Sequence, residues 1–112
     1  MSATPLPAGD RITATDLNHN FPQRIKSASD GRPQHISRNA RPAVVIISAT
    51  QYAQFVIETG AISGGEQRLT LTEAKHTMGK IIQDVREQQC AALLTKRGAL
   101  IAAVVPAERF TT

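Results

Sequence analysis

Apolar positions along the chain follow two rhythms. Leu17, Phe21, Ile25 and Ala28 fall at i, i+4, i+8 and i+11, which is one stripe of an α-helix. Residues 11–14 before it are β-prone, and Thr15 with Asp16 reads as the helix start, a Thr cap followed by an acid at the positive end. "SDGRP" at 29–33 is a stop and turn. Residues 34–37 and 43–48 then read as strands, the second carrying the unbroken run "AVVII" expected of a strand buried on both faces. "RNAR" at 38–41 joins them as a tight basic hairpin loop. Residues 49–59 read as a helix ended by Gly60, residues 60–67 ("GAISGGEQ") as a linker, and residues 1–10 as a flexible arm rich in Pro, Gly and Ala.

From residue 68 the same order returns. "RITATDLNHNF" at 11–21 is echoed by "RLTLTEAKHTM" at 68–78, with Arg11/Arg68, Thr13/Thr70, Thr15/Thr72 and His19/His76 identical. Ala74, Met78, Ile82 and Val85 repeat the stripe. A turn near 87–89 precedes strands at 91–95 and 100–105, separated by "KRGA" at 96–99. The offset is 57 through the helix and 58 through the strands, so one residue has entered at the turn. Under it Arg38 matches Lys96, Ile47 matches Val105 and Tyr52 matches Phe110. A stripe, a turn and a hairpin that recur together imply two copies of one β-α-β-β unit, over 11–59 and 68–112. Pro22 and Gly79 also correspond, and both are poor helix residues. Each helix is therefore expected to bend there, or to restart at Asn20 with Pro22 in its first turn.

Length changes the picture in one respect. Units of about 45–50 residues bury too little surface to be stable alone, so two copies in 112 residues must share a core. With 41% hydrophobic and 4% aromatic residues that core is aliphatic. No apolar run approaches a membrane span. The start lacks the basic and apolar regions of a signal peptide, and Cys90 is the only cysteine; both fit a cytoplasmic protein. The net charge of +4 is concentrated in the repeats: residues 11–55 hold six Lys/Arg against two acids, and residues 68–112 seven against four. That balance favours a polyanionic partner.

Candidate chemistry is sparse. His19 and His76 match across the copies, but without ligand spacing they read as exposed helical residues rather than metal ligands. Cys90 reads as a small buried apolar residue. No serine sits in a nucleophile elbow, and no glycine-rich phosphate loop is present. The sequence points to no enzyme, no metal and no cofactor.

The order "ITATDLNHNF … HISRNARPAVVIIS" resembles the N-terminal domain of the Phd/YefM antitoxin family. So does "LTLTEAKHTM … LLTKRGALIAAVVP", which matches better at the helix start and the loop glycine. The resemblance implies an α/β (α+β) fold, here two tandem β-α-β-β units packed as an intramolecular pseudo-dimer around small, mostly antiparallel sheets. Pairing between two chains, a homodimer of four copies, is the other assembly it allows. It also implies double-stranded operator DNA as partner and autorepression of a toxin-antitoxin-like operon. In the family an arginine early in the helix and a basic hairpin residue face DNA. These positions correspond to Asn18 and Lys75 on the helices and to Arg38 and Lys96 in the hairpins, with Asn39, Arg41 and Arg97 beside them. A second copy stands where the family's toxin-binding tail would begin, so toxin neutralisation is not expected from a tail.

The plainer reading of each cation is a solvated surface that keeps a small protein soluble. Two other functions stay open: an antitoxin that holds a cognate toxin through residues 49–66 or its termini, and an adaptor that keeps the fold without binding DNA.

Overall fold

Residues 9–60, 62 and 64–109 are described by a computed structural model. The first copy forms strand β1 (Asp10–Thr13), helices α1 (Ala14–His19) and α2 (Phe21–Ser29), strands β2 (Gln34–Arg38) and β3 (Arg41–Ser48), and helix α3 (Ala49–Thr59). The second forms β4 (Glu66–Thr70), α4 (Leu71–Gln88), β5 (Ala91–Lys96) and β6 (Ala99–Pro106), closed by a 3-10 turn at Ala107–Arg109. Asp10 thus belongs to a strand rather than to the arm, and Glu66 and Gln67 to a strand rather than to the linker. Most of the expected arm (residues 1–8), linker residues 61 and 63, and Phe110 of the Tyr52/Phe110 match lie outside the described residues.

The caps sit two residues earlier than expected. Thr13, not Thr15, caps α1 by accepting the Asp16 N–H at 3.0 Å. Thr70, not Thr72, caps α4, and Glu73 returns the bond to the Thr70 N–H at 2.8 Å, completing a capping box. With the acid three residues after the threonine, the hydroxyl and the carboxylate can each accept one otherwise unpaired N–H, as Thr70 and Glu73 do; an acid directly after the threonine cannot.

The helix defect falls at one equivalent place in both copies and takes both expected forms. Asn20 (φ −125°, ψ 35°) separates α1 from α2, and Pro22 sits in the first turn of α2. Thr77 (φ −128°, ψ 22°), its counterpart, kinks α4 without ending it. Pro22 lacks the N–H that would bond back across the break, whereas Gly79 keeps one, so the first helix parts and the second bends.

Instead of separate small sheets, all strands join one six-stranded mixed sheet in the order β1-β2-β3-β6-β5-β4. β1/β2 and β4/β5 are parallel, and the other three pairings are antiparallel. β3 and β6 would each be an edge strand in a lone copy, and pairing them removes two open rows of N–H and C=O groups. In that pairing Ile46 faces Val104, Val45 faces Val105 and Ile47 faces Ala103. Ile46 and Val104 are equivalent at the offset of 58, and the pairs on either side interchange when the copies are swapped.

Alternation along β3 and β6 feeds two cores. Val44, Ile46, Ala102 and Val104 point to the face covered by α1, α2 and α4, where both apolar stripes are buried. Val45, Ile47, Ala103 and Val105 point to the other face, under Tyr52 and Phe55 of α3 and Ile62. Both cores draw on both copies, and the Cα radius of gyration is 12.4 Å, near the about 13 Å of a 100-residue single domain. The fold is α+β. Among the described residues no helix is long and apolar enough to cross a membrane.

Candidate nucleic-acid interface

Each hairpin tip is tighter than a four-residue loop. Arg38 pairs with Arg41 and Lys96 with Ala99, leaving two central residues in each turn. Those residues, Asn39 (φ 54°) with Ala40 (φ 63°) and Arg97 (φ 53°) with Gly98 (φ 81°), all lie in the left-handed region. This is the I′ geometry whose twist matches the flanking strands. In the first copy it sets two arginines directly opposite each other, a like-charge pair that costs stability unless an anion offsets it.

The two tips lie at opposite ends of the sheet because β3 and β6 run antiparallel. Ser48 pairs with Ala102, so Ala99 stands level with a point ten residues beyond Arg41. At the strand rise this separates the tips by roughly 33 Å.

Arg38, Asn39, Arg41, Lys96 and Arg97 are exposed at the tips, and Asn18 and Lys75 are exposed on α1 and α4. Four other cations are neutralised locally. Arg24 bridges to Asp16 at 2.7 Å and Asp10 at 3.5 Å, Arg32 to Asp10 at 2.9 Å, Lys26 to Asp30 at 3.3 Å and Lys80 to Asp84 at 2.7 Å. A Gln34 hydrogen bond and the Arg32 guanidinium hold the Asp10 carboxyl below its usual range, and Asp84 holds the Lys80 ammonium above its own. Arg38, Arg41, Lys75, Lys96 and Arg97 have no acidic partner within 4.0 Å among the described residues.

Tertiary packing joins each hairpin to the helix of the other copy. Arg38 Nη1 donates to the Gly79 carbonyl oxygen at 3.4 Å, beside the kink of α4. Arg38 and Asn39 line a groove of about 540 Å³ together with Gln83, Arg86 and Glu87. Its counterpart, also of about 540 Å³, brings Lys75 and Lys96 together over α2, with Lys26 on its wall. Asn18, Arg41 and Arg97 line neither groove. Arg86 and Lys26 were missed from the sequence, although each stands one residue after a stripe position and was visible as a flanking cation.

His19 and His76 are exposed, and no cluster of three metal-ligating side chains occurs among the described residues. Cys90 is buried, and burial pushes its thiol pKa up, away from the reactive thiolate. His35 on β2 is partly buried, and desolvation, helped by the Arg11 charge, pushes its pKa down.

In short, the geometry presents two exposed cationic turns, one at each end of a single sheet, each beside a helix of the opposite copy. The chain matches no family model, and no curated protein or solved structure is similar to it at a significant level.

Proposed function

We propose that this chain is a DNA-binding transcriptional regulator of the antitoxin type, with its two β-α-β-β copies packed as an intramolecular pseudo-dimer that grips one operator duplex. The observation that carries the reading is the pair of basic hairpin tips, with no acidic partner within 4.0 Å among the described residues and roughly 33 Å apart. That spacing is close to the ~34 Å of one B-DNA turn, at which two-fold DNA binders engage successive half-sites. The exchange-symmetric pairing of β3 with β6 supports the pseudo-dimer: a single chain then offers the two-fold relation that the Phd/YefM resemblance implies for two domains. Lys75, Arg38, Arg41, Lys96 and Arg97 contact phosphates and groove edges, and Asn18 contributes an amide where the second copy has a charge. Bound at its own promoter, the protein represses its own operon in the cytoplasm.

A gel shift on the protein's own upstream DNA, with a random duplex as control at two salt concentrations, tests this. Preference for the upstream duplex that survives the higher salt is expected. Equal binding to both duplexes, or none, refutes the regulator and favours the adaptor.

A further inference from the structure

The two grooves occupy equivalent places but differ in chemistry. The groove beside Arg38 sets Arg38 and Arg86 against Glu87 and Glu108, so its charges balance. The groove beside Lys96 has an apolar floor and walls of Phe21, Pro22, Ile25, Leu71 and Ile101. Around them stand Lys26, Lys75 and Lys96, with no acid among the lining residues. Ile101 occupies the place of Ala43, Pro22 that of Gly79, and Lys26 that of Gln83. Phe21 and Ile25 stand where Met78 and Ile82 do and are core positions in both copies. What distinguishes the second groove is therefore Ile101 in place of Ala43 and the cations Lys26 and Lys75 in place of Gln83 and Asn18. Phe21 and Ile25 are 4% and 3% exposed, so the floor is anchored in the core. The first turn of α4, through Leu71 and Thr72, adds the positive end of an 18-residue helix.

We infer that this second groove binds a small anionic amphiphile: an apolar body on Phe21, Ile25 and Ile101, and a carboxylate or similar head held by Lys75 and Lys96. Charge complementarity selects an anion, the apolar floor selects a hydrocarbon or aromatic body, and about 540 Å³ falls within the ~300–1,000 Å³ usual for small-molecule sites. Lys75 and Lys96 are shared with the DNA reading, but occupancy of the groove is measured on the protein alone, so the two readings fail separately.

Isothermal titration calorimetry with decanoate below its micelle concentration tests it, with acetate and decyltrimethylammonium as comparators. One saturable decanoate site is expected, with neither comparator binding. Lys75→Gln combined with Lys96→Gln should weaken decanoate about tenfold or more, since each lost contact is charge-assisted. Arg38→Gln combined with Arg86→Gln, in the other groove, should leave it unchanged. All four side chains are exposed, and matching thermal midpoints verify that the variants fold. Absence of a saturable site, equal binding of the cationic comparator, or equal loss in both double variants overturns the inference.

Discussion

Replacing Arg38 and Lys96 together by glutamine removes one charge from each hairpin tip and is the sharpest probe of the DNA reading. Among the described residues nine cations have no acidic partner within 4.0 Å, and five of them, Arg38, Arg41, Lys75, Lys96 and Arg97, are the ones assigned to DNA. If each neutralises one phosphate, log K against log salt should have a slope of about −4.5, from about −0.9 per phosphate. Doubling the salt then weakens the parent about 20-fold. The double variant keeps three such cations, so its slope should be about −2.7 and the same doubling should cost about sixfold. Arg32→Gln and Lys80→Gln serve as controls, because Asp10 and Asp84 already hold those charges at 2.9 and 2.7 Å; their slopes should stay near the parent value. Fluorescence anisotropy of a labelled upstream duplex across a salt series measures all four proteins. A double variant with the parent's slope, or controls that flatten as much as it does, refutes the assignment of these tips to DNA.

Three further outcomes follow from local geometry. Ala40 holds φ 63° where the second copy has Gly98 at φ 81°, so Ala40→Gly should stabilise the protein by about 1 kcal/mol and Gly98→Ala should destabilise it by a similar amount; thermal midpoints that move the other way overturn the turn assignment. Gly79 lies in α4 with open space where a Cβ would stand, so Gly79→Ala should add about 0.5–1 kcal/mol in a urea titration, and a loss would mean that the kink at Thr77 needs the glycine. His35 has a folded pKa below its ordinary 6.5, so its contribution is intact above pH 6.5 and is lost as pH falls through the folded value. The His35→Gln variant should accordingly lose less stability than the parent between pH 7 and 5.

Legibility varied with the range of the interaction. The two apolar stripes needed only helical spacing, and every stripe residue is buried in the same core. "AVVII" needed only its continuity to be read as a strand covered on both sides, and Val44, Val45, Ile46 and Ile47 are all buried. The caps lie elsewhere than expected because threonines stand at 13 and 15 and again at 70 and 72; what selects between them is that the Asp16 and Glu73 N–H groups reach the Thr13 and Thr70 hydroxyls, with Glu73 alone also accepting from its cap's N–H. Composition marks each tip as a four-residue loop without giving its closing pair, which depends on strand register.

The sequence by itself determined the repeated unit, its elements, the place of the helix defect and the basic character of the loops, since all of these lie within a few residues of chain. Only the tertiary structure decided that β3 and β6 pair, that six strands make one sheet, and that each hairpin lies beside the other copy's helix. Pairing of two edge strands is a choice between partners about 58 residues apart, and no local spacing encodes it. That choice sets the distance between the tips, and it unites Lys75, Lys96 and the apolar side of α2 in one groove.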